Sequence, residues 1–270
     1  MDDLFSKFVV VAFSDEKHAY EGVRALQDLH GEGVISLYGY AVVRRAADGS
    51  VSMKEAQSEG PIGTGVGALV GALMGLLAGP GGAVVGMTIG TAVGATRDLI
   101  SLGVSSDFID SVGKQLPAGT TALVAELSED WVTPLNARME DIGGTVLREW
   151  RDDYVDDEME KRVDKARLEF TQRRKELAAA AADKKEALKK QVATAEQTLR
   201  AALGRVETRL ERFGHETEAK VNALQDQAKK ANAENKARIE QRITALRADH
   251  ARRKAKLEEA GRLAREALKP

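Results

Sequence analysis

One segment, between Glu59 and Arg97, contains no charged residue and carries a glycine at almost every fourth position. A spacing of four places these glycines in a nearly straight stripe on one helix face, where two helix backbones can approach closely. This pattern, a glycine zipper, constrains the fold more than any other feature. Its glycines form two series: Gly63, Gly67, Gly71, Gly75 and Gly79, then Gly82, Gly86, Gly90 and Gly94.

A Gly-Pro-Gly-Gly break at residues 79–82 separates the two series, so residues 59–97 are predicted to form an antiparallel helical hairpin. Each glycine costs a helix about 0.8–1 kcal/mol relative to alanine, so the hairpin needs surroundings that stabilise it. A bilayer is one such environment, although arms of roughly 16–19 residues are at the short limit for spanning it. We expect membrane insertion. The alternative is burial against identical hairpins in a soluble oligomer.

The flanking residues, 1–58 and 98–150, predict an α/β head of the ferredoxin-like class. The run 8–13 is β-branched and aromatic, and Ser14-Asp15 can cap the helix that follows. Gly31 and Gly33 end that helix, and Asp48-Gly49 predicts a tight turn between two later strands. The further expected elements are a strand over 34–43, a strand from 51, a helix starting at Ser105 or Ser106, a strand over 120–125, a helix over 131–139 and a strand over 145–147.

Residues 151–270 are rich in Ala, Lys, Arg and Glu, with no proline before the last position. This composition predicts one very long charged helix that forms a coiled coil. Several apolar residues recur at eleven-residue intervals, a period typical of a nearly straight or gently right-handed supercoil. The stripe is narrow, so the helix requires partners. The expected seam is Leu177, Leu188, Leu199, Leu203, Leu210, Val221, Leu246 and Leu257.

Charge divides the chain, because residues 1–150 carry a net −9 and residues 151–270 a net +7. The acidic start of the long helix, residues 152–160, suits the positive end of a helix dipole, which explains the cluster without a metal ion. Basic clusters such as 252–254 allow contact with lipid headgroups or nucleic acid. Acidic residues interrupt them throughout, so we favour solvated flanks of a coiled coil over nucleic-acid binding.

Three stretches of the head, residues 102–109, 112–123 and 142–147, resemble an uncharacterised bacterial family, domain of unknown function DUF1269. The zipper inserted after an Asp-Gly turn also looks like that family. The resemblance covers about residues 4–150 and leaves the long helix outside. It implies a membrane protein, since members are commonly described as such because of the hairpin, and it supplies no catalytic residue.

No arrangement of side chains in the sequence indicates an enzyme, a cofactor or a metal site. The chain has no cysteine, which excludes disulfides, thiol nucleophiles and thiolate metal sites. His18, His30, His215 and His250 show no paired ligand spacing and are predicted to be surface residues. Residues 63–67 superficially match a GxGxxG fingerprint, but no strand precedes them and no phosphate-loop lysine follows.

These observations predict a non-enzymatic, self-assembling protein at the cytoplasmic membrane, with copies of itself and the lipid bilayer as partners and no small-molecule substrate. The N-terminus is acidic and lacks the layout of a secretory signal, so head and coil are expected on the cytoplasmic side. Two alternatives remain. One is a soluble ring, cage or filament in the cytoplasm with buried hairpins, and the other is a basic coil that binds nucleic acid.

Overall fold

The computed structural model describes residues 6–58, 63–78, 84–85, 106–150 and 153–269, and within these ranges the protein is α+β. The strands are β1 (Lys7–Phe13), β2 (Ile35–Arg45), β3 (Val51–Ser58), β4 (Val84–Val85), β5 (Thr121–Glu129) and β6 (Thr145–Trp150). The helices are α1 (Glu16–Gly31), α2 (Gly63–Ala78), α3 (Ser106–Gln115), α4 (Val132–Asp141), α5 (Asp153–Ala179), α6 (Lys185–Lys230) and α7 (Ala233–Ala267).

The chain divides into two compact units. The sheet unit comprises Met1–Val155 and Glu216–Arg247, and the helical unit comprises Asp156–His215 and Ala248–Pro270. We name Glu216–Arg247 the helical arm, because it contains the end of α6 and the start of α7. Since this arm belongs with the sheet, the compact units do not follow the expected division of the chain at residue 151.

The sheet has the strand order β4-β3-β2-β5-β1-β6. All pairings are antiparallel except the short parallel contact of β3 with β4. Helix α1 connects β1 to β2 with β5 between them, and α4 connects β5 to β6 with β1 between them. Two split β-α-β units therefore interleave, which places β5 and β1 next to each other between β2 and β6.

Helices α1 and α4 cover one face of the sheet. Alternate residues of β1 and β5, such as Val9, Val11 and Leu123, pack there against Leu26 of α1 and Leu135 of α4. Each of these five side chains is at most 4% exposed, which indicates a close-packed core. The opposite face carries the other alternate set, because successive strand side chains point to opposite sides.

Helices α2 and α3 cover the apolar part of this second face. Phe8, Val10 and Val124 of the sheet pack there against Leu73 of α2 and Val112 of α3. Further along the same strands the inward positions become polar, and the helical arm lies over them, as described below. The second face is thus divided between an apolar part under α2 and α3 and a polar part under the arm.

Local sequence signals explain the main boundaries of the head. Asp15 caps α1, since its carboxylate accepts a hydrogen bond of 3.0 Å from the His18 backbone N–H. Gly33 has a φ of 71°, and its backbone N–H donates to the His30 carbonyl just after α1 ends. Gly49 of the Asp-Gly turn has a φ of 82°. The strands and helices expected within residues 8–53 and 106–150 are confirmed in type and approximate position.

The single long helix expected over residues 151–270 is replaced by three helices, α5, α6 and α7. The chain leaves helical geometry at 180–184 and at 231–232. At the second break Asn232 caps α7, because its side-chain oxygen accepts a hydrogen bond of 2.9 Å from the Asn235 N–H. The apolar periodicity continues on both sides of this break, so it does not reveal that the helix ends.

The three helices pack together within the helical unit. Val163 and Phe170 of α5, Leu199 and Val206 of α6, and Leu257 of α7 form one core, and each is at most 5% exposed. Small alanines between them allow the helices to lie close. Within this unit, the apolar stripe of the segment is therefore buried against helices of the same chain.

The predicted glycine-zipper hairpin is not confirmed. Its first arm corresponds to α2, but residues 84–85 of the second arm pair with β3 as a strand. A two-residue strand cannot be part of a continuous helix over 82–94. The remaining positions of that arm lie outside the described residues, as do Gly79, Gly82, Gly86, Gly90 and Gly94.

Candidate functional site

Helix α2 has two unlike faces. Its larger side chains, including Val66, Leu69 and Leu73, are at most 3% exposed and pack on the sheet. Gly67 and Gly75 are exposed and Gly71 is half-buried, so the glycine stripe lies on the side away from the sheet. The sheet thus takes the bulky side of α2, and the stripe is left on the outer side.

The space above Gly67 and Gly71 is open among the residues that the structure describes. A Cβ atom added at either position would meet none of their atoms within 4 Å. Leu76, which is 42% exposed, lies beside the stripe and contacts α3, where a Cβ at Gly113 would lie 2.9 Å from its Cδ2. Gly113 therefore permits the close packing of α3 on α2, whereas Gly67 and Gly71 do not serve any contact described within the chain.

The length of α2 is 16 residues. Among the residues that the structure describes, no helix is both long enough and apolar enough to cross a membrane. The predicted membrane hairpin accordingly stays a prediction.

The polar part of the second sheet face contains a buried ion pair. The Lys220 ammonium of the arm lies 2.5 Å from a carboxylate oxygen of Glu126 on β5, and the two side chains are 3% and 0% exposed. Ser6, the residue before β1, donates to the same oxygen at 2.7 Å, and Glu216 lies 3.0 Å from Lys220. The Tyr38 ring centroid lies 5.1 Å from the ammonium, which adds a cation–π contact.

A second set of polar contacts holds the other end of the arm. Arg242 of α7 forms hydrogen bonds of 3.0 and 2.8 Å to the two carboxylate oxygens of Asp130. It also donates to the Val34 carbonyl at 2.7 Å and to the Ser36 hydroxyl at 2.9 Å. The guanidinium is 1% exposed and bonded on several sides, so it fixes α7 against the start of β2.

Gln227 of α6 joins these contacts to the end of α1. Its side-chain oxygen accepts a bond of 2.7 Å from Ser36, and its amide nitrogen donates to the carbonyls of Ile35 and His30 at 2.9 and 2.8 Å. The same nitrogen lies 3.2 Å from His30 Nδ1, which accepts a bond of 3.1 Å from the Leu37 N–H. The hydrogen bonds therefore run without interruption from His30 through Gln227 and Ser36 to Arg242.

A cleft of about 450 Å³ opens beside His30. Its walls include Tyr40 of β2, Gln57 at the end of β3, and Lys230 of α6. His30 and Lys230 occupy the last turns of their helices, where cationic side chains complement the negative end of the dipole. The fold alone therefore explains why these two basic residues lie here.

His30 and Tyr40 are among the groups at this cleft whose pKa values are shifted. Burial, followed by the positive charges of Lys230 and Arg242, lowers the pKa of the His30 imidazole. Burial and the adjacent Glu55 carboxylate, to which the Tyr40 hydroxyl donates at 2.7 Å, raise the pKa of Tyr40 to about 12. Both side chains are consequently uncharged near neutral pH.

The expected coiled-coil seam is distributed over both units. Leu199 and Leu257 lie in the core of the helical unit, with Leu203 and Leu210 packed against it. Val221 is instead buried in the sheet unit, in a cluster of the arm with Tyr38, against which Leu246 packs. Leu177 and Leu188 are half-buried. One periodic stripe thus serves two different cores.

The helical unit also contains a buried ion pair. Asp156 of α5 lies 2.5 Å from Arg253 of α7, and both side chains are 2% exposed. Arg209 of α6 lies 3.3 Å from the same carboxylate, and the Arg253 guanidinium stacks 4.0 Å from the Phe213 ring centroid. Asp156, at the acidic start of the long segment, therefore forms a buried ion pair and does not act only on the helix dipole.

The histidines do not all lie at the surface as expected. His215 is exposed, but His30 is bonded as described above, and His250 is half-buried with its ring centroid 4.7 Å from that of Phe213. Burial and the neighbouring cations Lys254 and Arg253 lower the pKa of His250. Within the described ranges, no group of three or more His, Asp and Glu side chains could hold a metal ion.

Sequence reasoning missed the docking contacts of the arm. Lys220 and Gln227 lie on the same helix face as Val221, Leu224 and Ala228, because these positions are three or four residues apart. Polar residues that interrupt an apolar stripe are the available signal. They predict a polar partner, although they do not identify the sheet as that partner.

Comparison with known proteins gives a family match to part of the chain and no individual relative. The chain matches no curated protein and no solved structure. A family model matches residues 64–166, a range that extends from α2 into α5. The matched family is described as Protein of unknown function (DUF1269), and the resemblance inferred from the sequence is thereby confirmed over residues 64–150. The match does not include residues 4–63, and it extends to residue 166 in the segment that was expected to lie outside the resemblance.

Proposed function

We propose that this protein is a non-enzymatic structural protein that assembles with copies of itself through the glycine face of α2, which we define as Gly67, Gly71 and Gly75. The observation that carries the proposal is the orientation of α2, whose bulky side is used by its own sheet while its glycine side is open. Glycine stripes of this spacing allow two helix backbones to approach closely.

The cost of these glycines supports a role outside the folded chain. Each glycine in a helix interior is less favourable than alanine by about 0.8–1 kcal/mol. At Gly67 and Gly71, an added Cβ atom would meet no neighbour within 4 Å in the described part of the chain. A helix from a second copy could pack against these glycines, whereas no helix in the described part of the chain does so.

The head is proposed to be ferredoxin-like, with an insertion between β2 and β5 that includes the expected segment 59–97 and also β3 and α3. What supports this assignment is the order β2-β5-β1-β6 together with the two interleaved β-α-β units. In that arrangement α2 and α3 belong to the insertion and cover the sheet face opposite α1 and α4. The sheet therefore supports the helix that carries the glycine face.

Assembly at the cytoplasmic membrane, with head and helices on the cytoplasmic side, is the first candidate setting. It is favoured by the absence of any charged residue between Glu59 and Arg97. A soluble homo-oligomer in the cytoplasm is the second, and it is favoured by the burial of Val66, Leu69 and Leu73 of α2 against the sheet instead of lipid.

Nucleic-acid binding by the basic helices is the weakest candidate. Many of their cations are already paired within a helix, as in Arg262 with Glu259 and Glu266, or Arg200 with Glu196. Paired cations release fewer counterions when they meet phosphate, so affinity for nucleic acid falls.

The test compares the mass of the full-length protein with that of a variant carrying Gly67→Leu and Gly71→Leu. Because both positions are open, the leucines fit the monomer and strengthen α2 by about 1 kcal/mol each through helix propensity. They would nevertheless hold two glycine faces apart. Light scattering with and without detergent is expected to show a smaller assembly for the variant, with an unchanged or higher unfolding midpoint.

The matched control is Gly204→Leu, which changes another open helical glycine in α6 and should leave the mass unchanged. Flotation of each protein with liposomes separates the two settings, because a soluble assembly stays dense. If the double variant keeps the mass of the parent protein, the glycine face is not the assembly surface.

A further inference from the structure

His30 lies where three parts of the sheet unit meet: the end of α1, the start of β2 and the helical arm. Its Nδ1 atom accepts a hydrogen bond of 3.1 Å from the Leu37 backbone amide. It also lies 3.2 Å from the Gln227 side-chain nitrogen, whose two hydrogens are donated to the His30 and Ile35 carbonyls. An atom that accepts hydrogen bonds cannot carry a proton as well. The neutral imidazole in this position must therefore hold its proton on Nε2.

We propose that His30 makes the docking of the helical arm sensitive to pH, so that the arm is held on the sheet while the imidazole is neutral and is released when it is protonated. Protonation would direct an N–H of the ring at the Leu37 N–H and at the Gln227 side-chain nitrogen. The ring would then have to leave its position, and the hydrogen bonds that depend on Gln227 would be lost with it.

The imidazole is surrounded by Asp226 and Lys230 of α6, Arg242 of α7, and the hydroxyls of Tyr38 and Tyr40 on β2. The cations Lys230 and Arg242 oppose its protonation. Asp226 is an anion, but its carboxylate accepts a bond of 2.6 Å from Lys229. The helix dipole of α1 favours a charged His30 by only about 0.3–1 kcal/mol at its C-terminus.

Displacement of the His30 ring would weaken other contacts of the arm, because Gln227 bonds both to His30 and to Ser36. Its amide bridges the His30 and Ile35 carbonyls, and Ser36 donates to it while accepting from Arg242. Ser36 and Gln227 are 1% and 8% exposed, so water does not readily replace these bonds. Release at His30 therefore weakens the Arg242 contacts at the other end of the arm.

The sign of the pH dependence follows from the lowered pKa of His30. The released state takes up a proton as the pH falls through the ordinary value of 6.5, whereas the docked state does not until the pH is lower. Docking is thus complete above that value and weakens below it. The equilibrium constant for release is expected to rise by up to about tenfold per pH unit in this window.

Hydrogen exchange of the full-length protein at about pH 7.5 and about pH 5.5, corrected for intrinsic exchange rates, tests the proposal. Peptides from Glu216–Arg247 and the Leu37 amide are expected to lose protection at the lower pH. The variant His30→Asn supplies a neutral acceptor in place of Nδ1, so its arm should be equally protected at both values. The control His18→Asn, at an exposed ion pair with Asp15, should behave as the parent does.

A second measurement keeps the test valid if His30→Asn disturbs the fold. Imidazole nitrogen NMR of the parent protein should show the Nε2–H tautomer for His30 at neutral pH, and His30 should titrate together with the loss of arm protection. The proposal is overturned if His30 is protonated while the arm stays protected, or if His30→Asn loses arm protection at low pH as the parent does.

Discussion

Removing the buried cation Lys220 is the sharpest test of how the helical arm is held. In Lys220→Met the apolar stem is retained, but the Glu126 carboxylate, which is 0% exposed, loses a cation at 2.5 Å. Breaking a buried pair from one side costs about 3–5 kcal/mol, because an uncompensated charge stays behind. We therefore expect the free energy of unfolding of the sheet unit to fall by about that amount.

Urea unfolding followed by tryptophan fluorescence reports on this unit, because both tryptophans of the chain, Trp131 and Trp150, lie in it. Adding Glu126→Gln to the same protein removes the buried negative charge that Lys220 had faced, so most of the lost stability should return. The control Lys229→Met removes a cation that is 74% exposed, and exposed pairs contribute only about 0–1 kcal/mol. Equal stabilities for the Lys220 and Lys229 variants would refute the reasoning.

Three further predictions concern packing and ionisation elsewhere. Gly22→Ala would place a Cβ atom 2.7 Å from Phe13 Cζ, so urea unfolding should show a loss of about 1–3 kcal/mol, and an unchanged midpoint would contradict this close packing. Leu199→Asp buries a carboxylate at a 0% exposed position and should lower the melting temperature of the helical unit by circular dichroism, whereas Leu168→Asp, at a 61% exposed position, should not. The phenol of Tyr40 stays protonated to about pH 12 in the folded protein, whereas an unfolded phenol ionises near pH 10, so the stability that Tyr40 contributes should decrease as the pH rises between these values. A phenolate titration followed by absorbance should show a late step near pH 12 in the parent protein that Tyr40→Phe lacks. A parent protein without that late step would exclude the raised pKa.

Most of the head could be predicted because its signals are local. The β-branched run at 8–13, the Asp15 cap and the positive φ of Gly33 and Gly49 each depend on neighbouring residues alone. The strand order depends on distant pairings, and the sequence indicated it only through the succession of elements. The ferredoxin-like assignment therefore stays a proposal that the observed strand order supports.

The C-terminal segment was harder to predict for a physical reason. Its apolar positions keep a helical period through the break at 231–232, and Asn232 is a much weaker stop signal than glycine or proline. The same period serves a core of three helices near Leu199 and a docking surface near Val221. Periodicity shows that a stripe is buried, but it does not show against what.

The partner of α2 could not be predicted from the sequence for the same reason. Apolar residues occur on every face of this helix, which is compatible with burial in lipid, in a protein oligomer or against a sheet. The structure places Leu69 and Leu73 on the sheet and leaves Gly67 and Gly71 open. Spacing alone predicted which residues share a face, whereas the partner of each face depends on tertiary packing.

Disulfide formation between copies tests the glycine face most directly. The chain has no cysteine, so Gly71→Cys introduces a single thiol, and a disulfide requires the two Cα atoms to come within about 4.4–6.8 Å. The matched control is Lys17→Cys, on α1 at the opposite sheet face, where the side chain is 80% exposed. Mild oxidation of the full-length protein is predicted to join copies covalently through position 71 and not through position 17. Equal cross-linking at both positions, or none at position 71, would contradict assembly through α2.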